Sequence, residues 1–258
     1  DIYGALAAAA LGIPSVNNIT GLGYAFSSKS PVTMIAKALY RISQARAGAV
    51  FFQKPDDREL FKSLNLVKQD KAFLVPGSGV DTQRFSPRDS GPSHVSQRVF
   101  TFLLIARVLY DKGLAEFAEA SRLLRARGLV FRALLLGDAD AQNPTAVPKT
   151  VLDGWICEGL VEYLGKTDRV EDFIEGADCV VLPSYREGTP RTLLEAASMG
   201  KPLIAADVPG CREAVDDGVN GFLCEVKNPN SLAASMERML SLSPEERESM
   251  GKRSREKM

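Results

Sequence analysis

Apolar runs of strand length alternate with amphipathic helical stretches through most of the chain, a pattern that predicts parallel sheets covered by helices. Toward the start it predicts a helix ending near Leu11, a strand over 13–16, a helix over 31–47, and strands over 49–52 and 72–75. These βα units read as an incomplete set. The polar, turn-rich stretch over 86–93 then interrupts the pattern as a linker or long surface loop would. A second run follows: a strand over 99–106, a helix over 114–127 with Leu114, Phe117, Ala118 and Leu124 on one face, and a strand over 131–137. Strands over 178–183 and 202–206 flank a helix over 190–199, with Pro190 in its first turn and Gly200 just past its end. Units of this kind bind ligands outside the carboxyl ends of their strands, so chemistry is expected in those loops.

The composition is that of an ordinary globular protein: 258 residues, 45% hydrophobic and 25% charged, room for one large domain or two small ones. Lys plus Arg and Asp plus Glu both number 32, so no global basic field points to nucleic acid and any phosphate site must be local. Cys157, Cys179, Cys211 and Cys224 form no CxxC pair, and His94 is the one histidine. This reads as reduced thiols of a cytoplasmic protein, with no metal site. No apolar run of about 18 residues predicts a bilayer span, and no charged-then-apolar leader is present. The chain opens on Asp1-Ile2-Tyr3-Gly4 and passes directly into an Ala-rich stretch, so material upstream is expected.

The most informative segment runs Ser184-Tyr185-Arg186-Glu187-Gly188-Thr189-Pro190-Arg191-Thr192-Leu193-Leu194-Glu195-Ala196-Ala197. Glu187 lies in the loop leaving a strand, Gly188 lets backbone approach a ligand, and Thr189-Pro190-Arg191 opens a helix with free N–H groups and a positive dipole end. That geometry suits a diphosphate. Glu195 sits among Leu194, Ala196 and Ala197, where a carboxylate needs a partner, and sugar hydroxyls are good ones. By themselves these residues also fit a solvated loop charge at Glu187 and a surface Glu195 paired with Arg191 at i, i+4. Arg107 at a strand's carboxyl end and Lys112-Gly113 opening the next helix offer two cations for a pyrophosphate, or two solvated loop charges.

The Glu187-x7-Glu195 spacing, in a stretch ending Met199-Gly200-Lys201-Pro202-Leu203-Ile204-Ala205, resembles the retaining GT-B glycosyltransferases of the glycosyl transferases group 1 family. Gly77-Ser78-Gly79-Val80-Asp81 with Phe85 is similar to the family's Asn-Gly-Val-Asp element, with Ser for the usual Asn. Ile105-Ala106-Arg107 with Lys112-Gly113 is similar to its phosphate-binding strand end. Asp207-Val208-Pro209-Gly210-Cys211-Arg212-Glu213 and Gly218-Val219-Asn220-Gly221-Phe222-Leu223 are similar to its later turns.

The resemblance implies an α/β GT-B fold of two Rossmann-like domains: residues 1–80 the C-terminal part of a truncated acceptor-side domain, and 81–258 the nucleotide-sugar domain. It implies donor-sugar contact at Glu187, ribose contact at Glu195, diphosphate contact at Arg107 and Lys112, and backbone contacts at Gly188, Thr189, Pro190 and Arg191. Arg107, Lys112 and Glu187 are the catalytic candidates, acting by charge stabilisation and positioning. The segment 77–81 is the expected hinge side. No cofactor or metal is expected beyond the nucleotide-sugar donor, since two cations and a helix amino end can replace a metal. The family's glycine-rich loop and first-domain catalytic residue are not in this sequence, so the chain by itself is expected to be inactive.

Asn17-Asn18-Ile19-Thr20-Gly21-Leu22-Gly23-Tyr24-Ala25-Phe26 carries Gly21-x-Gly23 but has Phe26 at the third glycine, which excludes a nicotinamide site. The stretch is similar to family members that build surface polysaccharide on a lipid diphosphate, implying a UDP-linked donor such as an N-acetylhexosamine, and a lipid-linked or glycan acceptor. Cytoplasmic location with contact at the inner membrane face follows from that subgroup. The helix over 32–47, with Lys37, Arg41 and Arg46 beside Ile35, Ala38, Leu39 and Ile42, fits such contact or core packing. His94 in the polar stretch is given no role. A UDP-sugar 2-epimerase and a non-catalytic nucleotide-sugar-binding subunit are the rival readings, because fold does not settle chemistry.

Overall fold

The computed structural model describes residues 2–20, 31–53, 55–75, 77, 79–87, 99–139 and 143–258. The chain divides into two compact units, Asp1–Ser78 and Gly79–Met258.

The first unit holds helix α1 (Ile2–Ala10), strand β1 (Val16–Ile19), helix α2 (Pro31–Ala45), strand β2 (Ala49–Phe52), helix α3 (Pro55–Ser63) and strand β3 (Ala72–Leu74). The strands are parallel in the order β1-β2-β3. Ile19, Val50, Phe52 and Phe61 form its core, with Phe61 edge-on to both Phe52 and Tyr40 at 5.2 Å. The strand predicted over 13–16 begins instead at Val16, and Ile13 is exposed. The polar Asn17 lies inside the strand because its side-chain amide donates to Gln44 Oε1 at 2.6 Å, satisfying both buried groups.

In the second unit all six strands are parallel, in the order β6-β5-β4-β7-β8-β9. They are β4 (Thr101–Ile105), β5 (Arg132–Leu136), β6 (Glu162–Gly165), β7 (Cys179–Leu182), β8 (Leu203–Ala206) and β9 (Gly221–Cys224). The helices are α4 (Leu114–Ala126), α5 (Lys149–Cys157), α6 (Val170–Gly176), α7 (Arg191–Ser198), α8 (Pro209–Arg212), α9 (Pro229–Ser241) and α10 (Pro244–Glu256). Strands β4, β7 and β8 are buried along their whole length, which is why they read as unbroken apolar runs. The strand period of two sends Phe102 and Leu104 into a core shared with α4 and α9, and Leu103 and Ile105 into one shared with α6 and α7.

The chain runs outward from β4 to β5 and β6, then returns to place β7 on the other side of β4. Strand order therefore reverses between β4 and β7, and the crevice at their carboxyl ends is where such a sheet binds ligands. Pro190, predicted in the first turn of a helix, stands one residue before it, as the cap of α7. Gly200 ends that helix with φ of 70°, a conformation that favours glycine. The predicted linker over 86–93 lies for the most part outside the described residues, and His94 and the stretch 21–26 lie entirely outside them.

Candidate functional site

Strand β4 leads into the loop carrying Arg107 and Lys112, and β7 into the loop carrying Glu187. Gly113 lets these loops meet: it adopts φ of 74°, and a Cβ there would lie 2.2 Å from the Pro183 carbonyl oxygen. The Tyr185 N–H then donates to the Asp111 carbonyl at 2.9 Å. Across this contact Lys112 Nζ and Glu187 Oε1 form an ion pair at 2.6 Å, with side chains only 19% and 12% exposed. Two residues assigned separately from the sequence, one to phosphate and one to sugar, thus share one spot. Neither is a freely solvated loop charge, since each sheltered side chain is paired with the other.

Arg107 is exposed and carries no side-chain hydrogen bond or ion pair among the described residues. The turn after β8 presses on the Glu187 loop: a Cβ on Gly210 would stand 1.4 Å from the Gly188 carbonyl oxygen and 2.6 Å from that of Glu187. A Cβ on Gly137, after β5, would stand 1.7 Å from the Ala106 carbonyl oxygen, adjacent to Arg107. Backbones thus approach closely on both sides of the switch point.

Helix α7 begins after Pro190 with no side chain capping it and no acidic residue in its first turn, so its first N–H groups and dipole remain available to an anion. Gly188 and Thr189 are half-buried in the turn before it. Glu195, in its second turn, is 9% exposed. The i, i+4 contact with Arg191 exists, at 3.6 Å to an exposed guanidinium, but Glu195 is not a surface residue. Burial raises its carboxyl pKa, opposed by the charges of Arg191 and Arg84 and reinforced by that of Glu171.

The sequence reading missed Arg84, which donates to Glu171 Oε2 and the Asp168 carbonyl at 2.9 Å each and sets a cation near Glu195. The signal was present in Asp81, whose carboxylate accepts from the N–H groups of Gln83 and Arg84 at 3.0 Å, an Asx-type turn. It also missed Tyr185 and Glu116, joined by a 2.8 Å hydrogen bond beside the Lys112–Glu187 pair. On α2, Ile35 is 61% and Ile42 57% exposed and Ala38 is exposed, while Leu39 is half-buried. Among the described residues no group of His, Cys, Asp and Glu is placed to hold a metal, all four cysteines are free, and no helix is long and apolar enough to cross a membrane.

The family model described as glycosyl transferases group 1 matches residues 99–242. The chain is 28% identical over 217 residues to the N,N'-diacetylbacillosaminyl-diphospho-undecaprenol alpha-1,3-N-acetylgalactosaminyltransferase of Campylobacter jejuni, covering 81% of this chain and 55% of that protein. It is 25% identical to the UDP-Gal:alpha-D-GlcNAc-diphosphoundecaprenol alpha-1,3-galactosyltransferase of Escherichia coli, covering 92% of this chain and 63% of that one. The chain thus spans less than two thirds of the length of these two relatives. Among solved structures, Anabaena Alr3699/HepE in complex with UDP superposes with a TM-score of 0.81 at 20% identity, covering 99% of this chain and 70% of that one. That likeness is one of fold, and the fold class is GT-B: two Rossmann-like units with parallel sheets.

Proposed function

The chain belongs to the glycosyl transferases group 1 family, and we propose that it supplies the nucleotide-sugar half of a glycosyltransferase of cell-surface polysaccharide biosynthesis. The donor is a UDP-linked sugar such as an N-acetylhexosamine, and the acceptor is a lipid-diphosphate-linked or glycan hydroxyl. The single observation that carries this reading is the 2.6 Å Lys112–Glu187 pair at the switch point, with Glu187 in the loop that leads into the uncapped amino end of α7, the helix that carries the buried Glu195. A cation, a helix amino end and two carboxylates on these two loops and α7 are the groups that suit a diphosphate flanked by two sugars.

In the reaction, the anomeric C–O bond to the diphosphate breaks and the acceptor hydroxyl oxygen bonds the anomeric carbon on the same face, its proton passing to the departing diphosphate. Lys112, Arg107 and the α7 N–H groups stabilise the charge that develops on the leaving oxygen, in place of a metal. Glu187 takes the donor-sugar hydroxyls, Glu195 takes the ribose, and the backbone at Gly188, Thr189, Pro190 and Arg191 lines the phosphate and sugar. The two relatives with diphospho-undecaprenol in their names support a lipid-linked acceptor. The exposed Ile35 and Ile42 of α2, with Lys37, Arg41 and Arg46 nearby, support peripheral contact with the cytoplasmic face of a membrane.

The test supplies labelled UDP-N-acetylhexosamine and a polyprenyl-diphosphate-linked sugar to a polypeptide that includes this sequence and a first unit of the relatives' length. Label in the lipid product with the donor's anomeric configuration supports the assignment. Conversion of the donor to its C2 epimer would establish the epimerase reading, and tight UDP binding without turnover the non-catalytic one.

A further inference from the structure

Tyr185 stands between the loops that carry Lys112 and Glu187 and is tied to the β4–α4 side at both ends. Its N–H donates at 2.9 Å to the carbonyl of Asp111, the neighbour of Lys112. Its hydroxyl donates at 2.8 Å to Oε1 of Glu116, in the first turn of α4. The Lys227 ammonium lies 4.7 Å from the centre of its ring, a favourable cation–π arrangement. Lys227 reaches it from a left-handed backbone with φ of 57°, a conformation that side-chain-bearing residues seldom adopt. The other oxygen of Glu116 is buried and accepts no hydrogen bond among the described residues. The Tyr185 hydroxyl is thus the hydrogen bond that offsets the desolvation of this carboxylate. Burial above all, then the bond to Glu116, pushes the phenol pKa well above its ordinary value, so Tyr185 remains a donor across the physiological range.

We propose that Tyr185, anchored by Glu116, is a positioning residue for the nucleotide-sugar site: it fixes the spacing of the two loops and so places the Lys112 ammonium for the donor diphosphate. This rests on Lys112 being a diphosphate ligand. Neither Tyr185 nor Glu116 is assigned a contact with the donor, so both act through Lys112, and their effect must vanish when Lys112 is gone. General weakening of the fold has no such dependence.

The experiment is a double-mutant cycle read by calorimetric titration with UDP, using the wild type, Tyr185→Phe, Lys112→Ala and the double variant, with thermal unfolding recorded for each. Tyr185→Phe is expected to weaken UDP binding about three- to tenfold when Lys112 is present. In the Lys112→Ala background the same change is expected to cost less than about twofold. Glu116→Gln, which keeps an acceptor for the phenol, is expected to bind within about twofold of wild type, while Glu116→Ala behaves as Tyr185→Phe. Equal loss in both backgrounds, or no loss in a folded Tyr185→Phe protein, overturns the assignment alone. A wild type that does not bind UDP, or one whose binding is indifferent to Glu195→Ala, overturns the donor-site reading and this assignment with it.

Discussion

Lys112 and Glu187 neutralise one another at 2.6 Å, yet in the proposed reaction the ammonium serves the diphosphate and the carboxylate serves the sugar. A nucleoside diphosphate without its sugar offers Glu187 no hydroxyl and must compete with it for Lys112. Glu187→Gln is therefore expected to bind UDP more tightly, by about three- to tenfold, while losing transfer; unchanged or weaker UDP binding would show that the pair does not compete. Glu195 makes a second prediction, on stability. Its carboxyl pKa is raised in the folded chain chiefly by burial, so the folded state holds its proton to higher pH than the unfolded state does. The stabilisation is present below the unfolded value of about 4.3 and is lost as pH rises through the folded value. At pH 7 to 8 the ionised carboxylate thus weakens the fold, and Glu195→Gln should raise the midpoint of thermal unfolding by on the order of 2 °C. The gain should shrink near pH 4, and a lowered midpoint at pH 8 would contradict the account.

At the scale of elements, the glycine turns around the crevice hold the Glu187 loop in place. Gly210→Ala puts a Cβ 1.4 Å from the Gly188 carbonyl oxygen, so the β8 turn or the Glu187 loop must move. Destabilisation of about 1–3 kcal/mol by denaturant unfolding, together with weakened UDP binding, is expected. Gly154→Ala in α5 meets nothing within 4 Å and should instead stabilise by about 0.5–1 kcal/mol. The central strands were legible because β4, β7 and β8 are buried on both faces and are apolar apart from Thr101, whose N–H and hydroxyl are both hydrogen-bonded. Strands β6 and β9, the edges of the sheet, were not read: Glu162 and Gly165 interrupt the apolar signal of β6, and β9, though mostly buried, begins inside the run Gly218-Val219-Asn220-Gly221, which reads as a turn. The slip at β1 came from Asn17, whose partner Gln44 lies on α2. The start of helix α10 was not read either, although Ser243 and Glu246 of its capping box, with Pro244 between them, carry a helix-start signal.

For the whole molecule, the site residues all fall within 79–258, so that unit alone should bind UDP within about threefold of the whole chain, measured by the same titration. What the sequence made legible was residue identity: the switch-point loops, the two carboxylates and the cations stand in recognisable local order. What it hid were pairings across the fold. Lys112 and Glu187 are separated by 75 residues and Glu116 and Tyr185 by 69, distances at which no local periodicity speaks. The most direct test of the central claim is calorimetric titration of this chain with UDP beside its Glu195→Ala variant. Saturable one-to-one binding that weakens at least about tenfold in the variant is the predicted result. Binding of equal strength in two folded proteins, or none in the wild type, would contradict the placement of the nucleotide at the β4–β7 crevice.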